Sequence, residues 1–177
     1  MTSETILGLD ISTSCTGICI LSKQGDVLAI TSVDLSKVKT FIEKCELMTA
    51  RLSELSKLYR VSNVYIEQNM SAFRPGMSSA HTINALARFN GAVNLIAYQV
   101  FGVAPVLLNV INARNHVGLK INHKDKTSST KEKIYAWVTQ MISVEWPLKK
   151  SGAPRPECFD MADAYVVARA GWAGCKE

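Results

Sequence analysis

Four carboxylates keep unusual company for surface residues. Asp10 lies inside the apolar run "ILGLDISTSCTG" (6–17), Glu67 follows "VYI" in "VYIEQN", and Asp160 and Asp163 sit in "FDMADAY". A carboxylate taken out of water without a partner costs several kcal/mol, so each needs a hydrogen-bonding or cationic neighbour. At three of the four sites the flanking residues are apolar or neutral. Asp160 and Asp163, three apart in a helical sequence, project from one face. If the four converge, bound divalent cations reconcile them, and an all-oxygen set of hard ligands selects Mg²⁺ or Mn²⁺. Each acid alone has a plainer reading. Asp160 suits the first turn of a helix through the dipole, Asp163 could face solvent, and Asp10 could bond the "STS" turn that follows it.

The second chemical signal is positive charge. Residues 114–133, "RNHVGLKINHKDKTSSTKEK", hold six Lys or Arg against two acids, whereas residues 1–113 hold nine against eight and residues 134–177 five against five. Most of the net charge of +5 therefore sits in one stretch. A solvated polar loop and a polyanion contact both fit it. The five cysteines form no C-x-x-C pair, and the three histidines do not pair with them at zinc spacings, so reduced thiols are expected. No Ser/His/Asp arrangement suggests a covalent nucleophile.

The elements that must position the acids follow from periodicity. Ile6–Asp10 and Gly17–Leu21 read as strands, with "ISTSCT" a bend or a strand continuation between them. "QGD" (24–26) marks a turn, and "VLAITSVDL" (27–35) is a third strand. From Leu35 to Tyr59, apolar residues at three- and four-residue steps predict an amphipathic helix, with Ser36 as N-cap. Residues 61–68 predict a strand, 81–102 a helix stopped at Gly102, and 104–110 a fifth strand. Residues 129–142 and 156–172 predict two further helices, with Pro156 suited to a first turn. The order is an antiparallel meander followed by strand–helix alternation. It predicts an α/β fold with one mixed, five-stranded sheet and helices on both faces. The length of 177 residues suits a single domain, 1–177. No apolar run reaches the length of a membrane span and the N-terminus lacks a basic n-region, so the expectation is a soluble protein with no membrane partner.

In order and spacing, "ILGLDISTSCTGICIL", "VYIEQN" and "FDMADAY" resemble the acidic motifs of RuvC-type Holliday junction resolvases, in the ribonuclease H-like superfamily. The resemblance runs from the first strand to the last helix. It implies the ribonuclease H-like fold, with a central sheet in βββαβαβα order. It also implies a homodimer that nicks four-way DNA junctions symmetrically, using two Mg²⁺ per subunit. Asp10, Glu67, Asp160 and Asp163 match the metal-binding acids. Lys131, three residues before Ile134, falls where the family places a basic residue near the scissile phosphate, and Arg114 falls beside the DNA backbone. His116, Lys120, Lys124, Lys126 and Lys133 are expected to contact DNA phosphates without reading sequence. In the loop after Glu67 the family wedges an aromatic into the junction centre. Here Met70 stands at that place, with Phe73 and Arg74 just beyond. Phe73 fits a base wedge and a packing anchor equally. The resemblance implies a cytoplasmic location in a bacterial or phage-infected cell, with an organellar matrix as the alternative.

Two segments have double readings. Residues 143–155 look longer than the family's usual link and read as a surface loop, the alternative being a DNA-contacting arm through Lys149, Lys150 and Arg155. The helix 81–102 carries a core stripe from Ile83 to Val100, with Leu95, Tyr98 and Phe101 off it as a candidate dimer face. Three rival functions share the opening motif or the fold. One is a nuclease of the same superfamily acting on forks, flaps or RNA–DNA hybrids. Another is an actin-like or sugar-kinase-type nucleotide-binding protein, which needs a duplicated domain and a second phosphate loop. The third is a non-catalytic DNA-binding module, which would not need all four acids.

Overall fold

The computed structural model describes residues 4–68, 79–122 and 124–174. Met70, Phe73 and Arg74 lie outside them. The chain opens with β1 (Glu4–Asp10), β2 (Cys15–Ser22) and β3 (Val27–Asp34), an antiparallel meander. Then come α1 (Phe41–Leu58), β4 (Arg60–Glu67), α2 (Ala80–Phe101) and β5 (Val106–Leu108). Three helices close the order: α3 (Val110–His116), α4 (Thr130–Met141) and α5 (Glu157–Trp172). Among the described residues the strands form one sheet in the order β3-β2-β1-β4-β5, with β4 parallel to both β1 and β5.

The sheet is buried on both faces, which is why β1 and β2 read as nearly unbroken apolar runs rather than alternating ones. Leu7, Leu9, Ile18 and Ile20 join Met48 and Leu52 of α1 and Phe89 and Val93 of α2 on one face. On the other, Cys19 and Leu21 meet Ile134 and Val138 of α4 and Ala164, Tyr165 and Ala168 of α5. Each fully buried Leu or Ile here contributes about 1.5–3 kcal/mol of transfer free energy. The expected α/β architecture with helices on both faces is what the chain adopts.

The departures have local causes. The predicted helix start at Leu35 with a Ser36 cap is replaced by a start at Phe41. Thr40 accepts from the Glu43 amide while the Glu43 carboxylate accepts from the Thr40 amide, a reciprocal box that satisfies two orphan donors. Ser36 instead donates to the Asp34 carboxylate, and Leu35 is a buried plug after β3. The predicted strand 104–110 shrinks to three residues because Asn109 accepts from the amides of Ile111 and Asn112 and starts α3. Gly102 ends α2 as predicted, in the left-handed conformation with φ 68°. The stretch 143–155 is an ordered hairpin, its Leu148 and Pro154 bridged in antiparallel fashion.

Candidate active site

Asp10 and Glu67 end neighbouring parallel strands. Leu9 stands opposite Ile66, so both carboxylates emerge at the C-terminal edge of the sheet. Across the other ladder Asp10 pairs with Gly17 of β2. Gly17 is also where α5 touches down. A Cβ there would lie 1.9 Å from the Asp160 carbonyl oxygen. Further along the sheet a Cβ on Gly8 would lie 2.5 Å from the Ala168 amide nitrogen and 2.6 Å from the Ala164 carbonyl oxygen. Helix α5 therefore lies almost in backbone contact with β1 and β2, and its first turns deliver Asp160 and Asp163, both buried, to the end of β1. Two cations face them. Lys131, in the first turn of α4, places Nζ 2.5 Å from Asp160 Oδ1 and 3.8 Å from Asp163 Oδ2. Arg114 of α3 places Nη2 3.8 Å from Asp163 Oδ1. Its Nε is buried and has no hydrogen-bond partner among the described residues.

The electrostatics show that the four acids share one field. Burial, and then the charges of Glu67 and Asp163, hold the Asp10 carboxyl well above its ordinary value. Burial and the Asp163 charge push Glu67 up to about 7, against the opposing pull of Arg114 and Lys131. Asp163 rises to about 6 through burial, with Lys131 and Arg114 restraining it. Partial burial opposes the charge on Lys131, but its hydrogen bond to Asp160 and the surrounding carboxylates outweigh that and raise its pKa. The native acids thus bind protons that the unfolded chain releases earlier, between about 4.5 and 7. Stability in chelator-treated buffer therefore falls as pH rises through that window, by about 1–3 kcal/mol. Thermal melts at pH 5 and 7.5 check this. A higher melting temperature at pH 7.5 would contradict it.

The donor chemistry fits hard divalent cations: oxygens only, on two strands and a packed helix, gathered against their own repulsion. Among the described residues, no three of His, Cys, Asp and Glu stand at ligating distance of a single point. The Lys131 ammonium bridges Asp160 and Asp163.

No protein-family model matches the chain. The crossover junction endodeoxyribonuclease RuvC of Aliarcobacter butzleri is 29% identical to it over 167 residues, 92% of this chain and 94% of that protein. The chain resembles RuvC. Among solved structures, Thermus thermophilus RuvC in complex with a Holliday junction substrate matches with a TM-score of 0.67 at 18% identity. That match covers 94% of this chain and 91% of the other. The yeast mitochondrial Holliday junction resolvase Ydc2 matches with a TM-score of 0.55 at 16% identity, over 97% and 78% of the two chains. At such identities the structures establish the fold, which is RuvC-like and ribonuclease H-like.

Within this RuvC-like fold the remaining sequence candidates separate by environment. His116, Lys120, Lys124 and Lys126 are exposed on α3 and the loop before α4. His116 Nε2 lies 3.1 Å from the Ala173 carbonyl oxygen at the end of α5. Lys133 points inward instead, bonding the Asn122 carbonyl at 2.9 Å, the Asp125 carbonyl, and the Asp125 carboxylate at 3.2 Å. It ties the basic loop to α4. Sequence reading missed Asn90, a buried polar residue of α2 whose Nδ2 donates to the Glu67 carbonyl at 3.3 Å. Asn94 donates to Asn90 in turn, at 2.8 Å. The visible clue was an amide beside the apolar stripe, one residue after Phe89. It also missed Gly17, whose small size signals nothing until the helix above it is placed.

Proposed function

We propose that this chain is a divalent-cation-dependent endodeoxyribonuclease that resolves four-way DNA junctions by paired symmetric nicks. It would act as a homodimer with one nuclease domain, residues 1–177, in each subunit. The observation that carries the reading is the convergence of four carboxylates from β1, β4 and α5 beside Lys131, in a chain that resembles RuvC along nearly its whole length. Asp10, Glu67, Asp160 and Asp163 would hold two Mg²⁺, or Mn²⁺. When bound, such ions supply a nucleophilic hydroxide and charge stabilisation for the departing 3′ oxygen. The chain's own part is to hold the acids rigid on strand ends and a helix packed on the sheet. Lys131 would leave Asp160 for the scissile phosphate, and Arg114 would steady Asp163. His116, Lys120, Lys124 and Lys126 would track the backbone, with Lys133 shaping their loop. Met70, Phe73 and Arg74 would lie at the junction centre. No helix among the described residues is long and apolar enough to cross a membrane, compatible with work in the cytoplasm.

The test is a nicking assay in Mg²⁺ on a synthetic four-way junction, beside linear duplex, a fork and an RNA–DNA hybrid. Paired nicks at symmetric positions in the junction alone support the proposal. Preferential cutting of the fork or hybrid would keep the chemistry and overturn the substrate. Failure to cut any of them, with ATP bound instead, would overturn both.

A further inference from the structure

The hairpin 143–155 stands directly before α5, and nothing in the proposed chemistry uses it. Its base is fixed from several directions. Trp146 meets Tyr135 of α4 edge-on with ring centres 5.0 Å apart, and Tyr135 meets Phe159 in the same way at 5.7 Å. The Cys158 thiol donates to the Pro147 carbonyl at 3.0 Å, and the Arg155 amide donates to the same oxygen at 3.1 Å. Above this base the chain closes a tight turn. The Lys149 amide donates to Ala153 at 2.8 Å, and the amide of Gly152, with φ 81°, donates back to Lys149 at 2.9 Å. Lys149 and Lys150 are exposed at its tip, and neither forms an ion pair among the described residues.

The turn is held in one backbone conformation by its own hydrogen bonds. Ordering such a segment costs about 1–2 kcal/mol per residue in backbone entropy, offset here by aromatic and hydrogen-bond anchoring. The anchoring fixes the backbone from which the two lysine side chains project. Pro156 and Glu157, at the foot of the hairpin, line a cavity of about 430 Å³ together with Asp160 and Ser14. From Asp160 back to Pro156 is about 6 Å of helix. From Pro156 back to Lys150 is six residues, about 20 Å of chain at full extension. The Lys150 backbone therefore stands at most about 26 Å from that of Asp160, within some eight base steps along a duplex.

Resting on the nuclease reading above, we propose that the Lys149–Lys150 turn is a second DNA-backbone clamp, gripping phosphates of a junction arm beside the scissile strand. It is separate from the basic segment 114–133. The clamp holds duplex phosphate and reads no bases, because two ammonium groups on a turn offer charge without base-edge geometry.

Junction binding measured across a salt series tests it, using the full chain with Asp10→Asn to prevent cutting. Adding Lys149→Ser and Lys150→Ser should lower the slope of log affinity against log salt by about two and weaken binding about tenfold or more near 0.1 M salt. Lys149→Arg with Lys150→Arg should restore both. An unchanged slope and affinity in the serine pair, with the junction still bound, overturns the clamp and leaves the nuclease reading intact. If the Asp10→Asn protein itself binds no junction, the nuclease reading falls and the clamp with it.

Discussion

Replacing Asp10 with Asn should lower junction nicking by about 10³-fold or more while leaving junction binding and folding intact. The size follows from position. Asp10 ends the central strand β1, between Gly17 of β2 and the end of β4, and its charge couples to Glu67, Asp163, Lys131 and Asp160 together. The amide keeps the shape and removes the charge on which a divalent cation and a developing oxyanion both depend. A loss of about 4 kcal/mol of transition-state stabilisation is about 10³ in rate. Stability should move the other way. Burial and like charges disfavour the Asp10 carboxylate, so the Asn variant should melt at or above the parent temperature in chelator. If Asp10 merely bonded the serine turn after it, the variant would lose stability and keep its activity. Single-turnover nicking beside a thermal melt separates the two accounts.

The acids were legible in the sequence because burying an ionisable group is expensive, so an acid inside an apolar run already implies a partner. The order of elements was legible because the apolar period changes from strand-like runs to three- and four-residue steps at the long helices. What stayed hidden depends on competition between local signals. The sequence points to Ser36 as the cap of α1, but Thr40 caps it instead, because Glu43 closes the reciprocal box with Thr40. The short α3 shows no apolar stripe, and its Ile111 is exposed, so periodicity had nothing to find. Lys133 and Lys126 look alike in a basic run, yet only Lys133 turns inward onto Asp125. Tertiary approach was hidden altogether. The space a side chain would need at Gly17 is taken by the chain's own helix.

That contact makes Gly17→Ala the most informative change outside the acids. The backbone of Gly17 lies in the ordinary strand region, so alanine brings no conformational strain; the difficulty is space. Its methyl would sit 1.9 Å from the Asp160 carbonyl oxygen, which is helix backbone and cannot rotate away. Relief requires the start of α5 to lift by about 1 Å or more. Overpacking of this kind costs about 1–3 kcal/mol, or roughly 2–12 °C in melting temperature for a chain this long. The lift carries Asp160 and Asp163 away from Asp10, and a misplacement of about 1 Å is enough to cost about 10²-fold in rate. Gly8→Ala is the matched control. Its methyl would strike α5 at the Ala168 amide and the Ala164 carbonyl, one to two turns beyond Asp160, so it should lose comparable stability with a smaller loss of nicking at saturating protein. Equal activity losses in the two variants would mean that α5 moves as a rigid whole. Parental nicking by Gly17→Ala would mean that the Asp10–Asp160 approach does not set the rate. A large loss at Gly17 alone would locate the precision of the site in one missing methyl group, where a strand and a helix meet backbone to backbone.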